Sequence, residues 1–259
     1  VVRNEMEAGE NDPLRSLWQK AMATMYQWHN YGKSTIGARS DVENVNIARL
    51  QAFYRTYYQP DNATLVVAGR FDPAQVLAWT AEFFGPIPKP QRTLEATYTL
   101  DPPQDGERTL RVKRVGGNPA LMVGYHVPPG ASPDYAAVSL LSQVLGDTPG
   151  GRLHKRLFEG KLAANVFGFP LDLAEPGALF LGVQLAPGQD VDKARTAMLA
   201  TIDALAGGAE PVTQAELDRA RTQILNAWDI GFTDPEQVGV ALSEAVAMGD
   251  WRLFFLNRD

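Results

Sequence analysis

The sequence contains no cysteine among its 259 residues, and this absence excludes several kinds of chemistry. Without cysteine the chain forms no disulfide, binds no metal through a thiolate and has no thiol nucleophile. No apolar run comes close to the roughly 18 residues that a membrane-spanning helix needs. Neither the Gly-x-Ser-x-Gly turn of serine hydrolases nor a Walker-type phosphate-binding loop is present. These absences leave the cellular compartment open.

Positive charge is scarce relative to negative charge, since 24 Lys and Arg stand against 30 Asp and Glu and the net charge is -6. A nucleic-acid-binding domain normally presents a basic face, so this balance argues against one. Hydrophobic residues make up 45% and charged residues 21%, which is typical of a folded globular protein. The length suits one large domain or two domains of ordinary size.

Hydrophobic periodicity divides the chain into helices and strands. Helices are predicted over residues 11–28, 41–58, 73–84, 132–145, 152–159, 191–206, 213–228 and 235–248, and strands over 62–71, 108–115, 120–127, 163–169 and 178–185. Strands that occur in pairs with helices between and after them favour an α+β fold over a doubly wound parallel sheet. The prolines of the segment 86–106 predict an extended linker between one domain at 1–85 and another at 107–259.

The chain begins with residues typical of a helix interior. The sequence shows no Ser, Thr, Asp or Asn at the N-cap position before this helix-like stretch of residues 1–8. We expect both ends of the chain to be cut from a longer protein, with the first domain incomplete. From composition alone, Glu5, Glu7 and Glu10 form a solvated acidic face of this first helix.

The three histidines do not form a local zinc pair, because none lies three or four residues from another. We expect His29 to be solvated in a turn, His126 to be structural at a strand end, and His154 to lie on an exposed basic helix face. The pair Gly150-Gly151 predicts a tight loop, with an anion site at the start of the next helix as the alternative.

Two parts of the chain resemble the insulinase/pitrilysin family, the M16 zinc metallopeptidases. The first contains HNYG at 29–32, TIG at 35–37 and LQAFYRTYYQPDNATLVVAGRFD at 50–72. It is similar to the family pattern H-P-Y-G…I-G followed by F-Y…Y-Y-x-P-x-N-A-x-L-V-V-x-G-x-x-D, with Asn30 in place of proline. The second contains LLSQVL at 140–145, GGRL at 150–153 and LFEGKLA at 157–163, and it looks like the C-terminal domain of one half-molecule. The ending AMGDW at 247–251 is similar to bacterial members.

This resemblance implies two domains of the LuxS/MPP-like metallohydrolase type, mostly antiparallel sheet packed with helices, the first of them incomplete. In the family, zinc is held by an inverted motif, H-x-x-E-H, whose glutamate is the general base. A further glutamate ligand comes from a later helix, in a context similar to V-V-x-x-E. Val1-Val2-Arg3-Asn4-Glu5 matches that context, so the resemblance implies Glu5 as the third zinc ligand.

The sequence contains no H-x-x-E-H. We therefore expect no catalytic residue in this fragment, zinc in the parent protein but not in the fragment, and no peptidase activity of the fragment alone. The expected parent is a zinc-dependent metalloendopeptidase that hydrolyses peptides in an enclosed chamber. The alternative is a non-catalytic M16-like half or core-type subunit that serves as scaffold or chamber wall.

The partners that the resemblance implies are a peptide or unfolded protein substrate and a second M16 half, in the same chain or a separate one. No nucleic acid and no membrane span are expected. A bacterial, periplasmic location is favoured over a cytoplasmic one. The residues that bind substrate are not predicted.

Overall fold

The structure, a computed structural model, describes residues 1–258. Its α-helices are α1 (Val2–Asn11), α2 (Pro13–Met25), α3 (Arg39–Glu43), α4 (Ile47–Tyr57), α5 (Pro73–Phe84), α6 (Tyr135–Gly146), α7 (Val191–Ala206), α8 (Gln214–Gly231), α9 (Pro235–Ala247) and α10 (Leu253–Leu256). Short 3₁₀ turns cover Asn30–Gly32 and Pro60–Asn62, and a π-helical turn covers His154–Phe158. None of the helices described is long and apolar enough to cross a membrane.

Three antiparallel strands form the sheet. They are β1 (Ala120–Val127), β2 (Asn165–Leu171) and β3 (Gly177–Gln184), in the order β1-β3-β2. In the central strand β3, Leu181 lies opposite Val123 of β1 and Gly168 of β2. The α+β class and the antiparallel sheet are confirmed.

The two faces of β3 pack against different helices, because successive side chains of a strand point to opposite sides. Leu179, Leu181 and Val183 join a core with residues of α6 and α7. Ala178 and Phe180 face the other way and join a second core with residues of α2. The sheet is therefore a middle layer, with α2 on one side and α6 and α7 on the other.

Helix starts follow the expected capping chemistry. Asp72 accepts hydrogen bonds from the backbone of Ala74 and Gln75, and Pro73 is the first helical residue of α5, as predicted. Thr213 and Glu216 form a reciprocal capping box at the start of α8. The predicted helix 41–58 is divided into α3 and α4, because the Asn46 side chain accepts from Arg49 N and starts a new helix.

Two predicted strands are wrong. Residues 62–71 and 108–115 belong to no sheet, and the whole segment 85–119 contains neither helix nor strand. A β-strand requires a neighbour to receive its backbone hydrogen bonds, and no neighbour pairs with these segments within residues 1–258. Leu65, which should lie within a paired strand, is 58% exposed. The domain limits at 85 and 107 remain a prediction.

Helices α4 and α5 expose an unusual number of large apolar side chains. On α4 these are Ile47, Leu50, Phe53, Tyr54 and Tyr57, and on α5 they are Leu77, Trp79, Phe83 and Phe84. Scattered single apolar residues are normal on a surface, but groups of this size on two helices are unusual for a surface in water.

Candidate functional site

Helix α1 fixes the position of Glu5. The helix packs against α2 and α3, with Met6 and Gly9 as its buried residues. Gly9 allows the Arg15 side chain to lie close, because a Cβ added at Gly9 would be 3.0 Å from the Arg15 Nε. Since α2 in turn packs on β1, the position of Glu5 is tied to the central sheet.

The three glutamates of α1 differ in their partners. Arg39 Nη2 donates to Glu7 Oε1 at 2.7 Å, and Arg39 Nη1 lies 3.8 Å from Glu10 Oε2. Arg39 Nε also donates to Glu43 Oε1 at 3.2 Å. These hydrogen bonds raise the pKa of Arg39, whose charge is thus balanced by its neighbours. Glu5 makes no ion pair or side-chain hydrogen bond with any residue described, so its carboxylate is available to a ligand.

Glu5 lines a cleft of about 200 Å³. The cleft lies between α1, α2 and the loop 34–38, and it also contains Glu10, Arg15 and Arg39. The loop includes the TIG segment that carries part of the family resemblance. The structure therefore places the predicted ligand next to a second part of the sequence on which the resemblance rests.

Residues 1–258 do not bring together a complete set of zinc ligands. Among residues 1–258, no group of three or more His, Cys, Asp or Glu side chains is arranged so that it could bind a metal ion. Protein zinc sites use at least three ligands, usually nitrogen or sulfur with some carboxylate. Glu5 alone does not meet this requirement, so no catalytic step is assigned to a metal in this chain.

The expectation that His29 is solvated is wrong. Its side chain is only 13% exposed, and its Nε2 lies 3.0 Å from Glu175 Oε2. Its Nδ1 accepts a hydrogen bond from Tyr31 N at 3.1 Å, which leaves the Nε2 proton to be donated to Glu175. The Tyr31 hydroxyl accepts from Glu175 N at 3.2 Å. The HNYG segment thus joins the end of α2 to the loop between β2 and β3.

Tyr26 completes this junction. Its hydroxyl donates to Pro176 O at 2.9 Å, and its ring stands edge-on to His126 with centroids 4.9 Å apart. Burial raises the pKa of Tyr26 to about 12. His126 lies at the penultimate position of β1, in agreement with the expected strand end. The sequence carries no local signal for Glu175, because this partner of His29 lies 146 positions away along the chain.

The expectation that His154 is exposed is also wrong. His154 is buried and stacks on Phe158, with ring centroids 4.6 Å apart. The basic neighbours Lys155 and Arg156 are exposed as expected. These residues form a π-helical turn, and His154 lies on its inward side together with the buried Leu157.

The Gly150-Gly151 pair forms the predicted tight loop. Gly151 N donates to Asp147 O at 3.0 Å and Gly150 N to Asp147 Oδ2 at 3.2 Å. Both amides are used within the loop, so they are not available to an anion.

The following Arg152 makes a bidentate pair with Glu216, with both N–O distances 2.8 Å. Hydrogen bonds from Arg152 lower the pKa of Glu216 to about 2.

The family profile described as the peptidase M16 inactive domain matches residues 44–224, more than half of the chain. The chain therefore belongs to the peptidase M16 family, and the resemblance found in the sequence is confirmed.

Individual relatives agree with this assignment. The chain is 27% identical over 215 residues to the zinc protease PqqE of Helicobacter pylori, covering 82% of this chain and 48% of that protein. It is 26% identical over 249 residues to a zinc protease of Mycobacterium leprae, covering 90% and 52%. The chain thus spans about half the length of the curated relatives it matches.

Solved structures show the same fold. A protease from Helicobacter pylori superimposes with a TM-score of 0.91 at 23% identity, covering 99% of this chain and 62% of that chain. The inactive peptidase domain of a Bordetella parapertussis protein is 49% identical, with a TM-score of 0.52, over 58% of this chain and 81% of that chain.

Proposed function

We propose that this chain is part of a zinc-dependent metalloendopeptidase, in which Glu5 is the third zinc ligand. The H-x-x-E-H motif, with two histidine ligands and the glutamate base, would come from a part of the protein outside these residues. The fragment alone is inactive under this proposal, because it lacks both histidines and the base.

The observation that carries the proposal is the unpaired carboxylate of Glu5 on a helix fixed by packing. Glu7 and Glu10 on the same helix are occupied by Arg39, whereas Glu5 faces the cleft without a cation partner among the residues described. A carboxylate ligand has to be held in place and free of competing ion pairs. Of the α1 glutamates, Glu5 meets both conditions.

The exposed apolar surface of α4 and α5 supports the second part of the proposal. Burying such surface is the main favourable term in folding, so a further layer of protein is expected to cover it. The curated relatives are about twice as long as the matched region, which leaves room for a segment with the missing motif. We assign that segment to this surface.

A peptide or unfolded protein is the substrate class in this proposal, and a second M16 half would close the chamber around it. In this proposal an extended peptide binds by adding a strand to an exposed edge of the sheet. In the described sheet, β1 and β2 are the outer strands. We also propose a bacterial periplasmic location; the fold is shared with the periplasmic protease PqqL of Escherichia coli.

A non-catalytic half or core-type subunit is the second candidate. The specific observation in its favour is that the matching family profile describes an inactive domain. The two candidates differ in whether the gene encodes the H-x-x-E-H motif. An H-x-x-E-H encoded upstream of Val1 supports the peptidase, and its absence contradicts it.

The experiment is peptide hydrolysis by the full-length protein, followed with an unstructured fluorogenic peptide. The peptidase proposal predicts cleavage that a metal chelator abolishes and that added zinc restores. Chelator-resistant cleavage would contradict it. The fragment of 259 residues serves as the matched control and is expected to give no cleavage. Chelator-sensitive cleavage by this fragment would contradict the role given to the missing motif.

A further inference from the structure

A cavity on the other side of the sheet carries an unbalanced positive charge. It has a volume of about 950 Å³ and lies between the π-helical turn, α7 and the start of α8. Its charged lining consists of Arg152, Lys155, Arg156 and Arg219 against Glu210 and Glu216. Four cations against two carboxylates leave an excess of two positive charges. In a chain with a net charge of -6, such an accumulation requires an explanation.

Arg219 is the main anomaly in this cavity. Its Nε and Nη2 atoms are buried and have no hydrogen-bond partner. No carboxylate of the described chain lies within 4.0 Å of its guanidinium group, and the nearby Asp147 is engaged by Gly150 N and Gln223 Nε2. A buried charge without a partner is costly, because it loses its hydration and gains nothing in return.

The other cations of the cavity fall into two kinds. Arg152 is fully engaged, since it pairs with Glu216 and donates to the backbone oxygens of Glu210 and Pro211. The side chains of Lys155 and Arg156 make no hydrogen bond or ion pair with the residues described, and both are exposed. Once Arg152 and Glu216 are paired, three cations face the cavity with only the Glu210 carboxylate among its lining residues to balance them.

We propose that this cavity binds a small multivalent oxyanion, held by Arg219, Lys155 and Arg156. Guanidinium groups bind phosphate and carboxylate oxygens through paired, charge-assisted hydrogen bonds, which are stronger than neutral ones. A ligand with several negative oxygens would balance the charge of the Arg219 guanidinium group and of both exposed cations. The site lies on the face of the sheet opposite α2, so it is separate from the cleft around Glu5.

Calorimetric titration of the full-length protein tests this, with inorganic tripolyphosphate and citrate as separate probes at constant ionic strength. Saturable binding of either probe is expected, and the preferred probe identifies a phosphate or a carboxylate ligand. Arg219→Gln should weaken binding by about tenfold or more, because it removes charge-assisted bonds. Arg221→Gln is the matched control, since Arg221 is exposed on the same helix but does not line the cavity.

Lys155→Gln provides a second variant that does not disturb the fold, because the side chain is exposed. It should weaken binding several-fold, and it decides the result if Arg219→Gln does not fold. The proposal is overturned if neither probe saturates. It is equally overturned if binding is unchanged in both cavity variants, or if Arg221→Gln weakens it as much as they do.

Discussion

Glu216 and Glu5 carry the same side chain in opposite electrostatic surroundings. Glu216 accepts two hydrogen bonds from Arg152 and caps α8 through Thr213, and its pKa is lowered to about 2. Glu5 has no cation partner among the residues that the structure describes. A charge engaged in this way stabilises the fold, whereas a free one is available for a ligand.

Glu216→Gln tests the structural role of the first of these carboxylates. The pKa falls from 4.5 to about 2 on folding, so its stabilisation is complete above pH 4.5 and is lost as the pH falls towards 2. At pH 7 we expect the variant to lose about 2 kcal/mol of unfolding free energy, since hydrogen bonds to charged groups are lost.

Between pH 4.5 and 2 the variant should lose stability less steeply than the wild type, because it lacks the titrating carboxyl. Urea denaturation across this range measures the difference. Asp218→Asn, an exposed change on the same helix, is the control and should follow the wild-type slope. Equal slopes for the Glu216 variant and the wild type would contradict the assignment.

At the residue scale, local sequence could not reveal the partners of the histidines. His29 meets Glu175, which is 146 positions away along the chain. His154 faces inward with Leu153 and Leu157, whereas its basic neighbours Lys155 and Arg156 suggest an exposed face. The assignment of Glu5 as a ligand rests on five adjacent residues and remains a prediction.

At the scale of elements, glycine sets how closely α6 approaches β2. A Cβ added at Gly146 would lie 2.6 Å from the Cα of Gly168. Backbone atoms cannot move aside as the end of a flexible side chain can. The close packing of helix on strand in this core therefore depends on the absence of a side chain at these two positions.

Gly146→Ala should separate α6 from the sheet and lower the unfolding free energy by about 2 kcal/mol, the usual cost of overpacking a core. Thermal or chemical denaturation provides the measurement. Gly106→Ala is the matched control, because nothing lies within 4 Å of a Cβ at that position, and it should change stability by less than about 0.5 kcal/mol. Equal effects of the two substitutions would contradict the close packing.

The elements that could be predicted are those with strong local signals. α5 begins at the predicted Asp-Pro cap, and the predicted limits of α7 are those observed. The strands predicted at 62–71 and 108–115 fail because pairing is a long-range property. An apolar, β-branched run shows that a segment can pair, but the structure describes no strand beside it.

At the scale of the whole molecule, α2 connects the predicted metal ligand to the sheet. Met25 of α2 packs so closely on β1 that a Cβ at Gly124 would lie 2.5 Å from its Sδ. Tyr26, His29 and Glu175 extend the same contact beyond the helix end. Through α2, the helix that carries Glu5 is therefore fixed to the sheet of the matched M16 domain.

The role of Glu5 as a zinc ligand is tested most directly by the zinc content of the purified full-length protein, measured by elemental analysis for the wild type, Glu5→Gln and Glu7→Gln. The two variants remove one carboxylate each from the same helix, but Glu7 is paired with Arg39. We predict about one zinc per chain for the wild type and Glu7→Gln, and a large loss for Glu5→Gln at unchanged circular dichroism. Stoichiometric zinc in Glu5→Gln would contradict it.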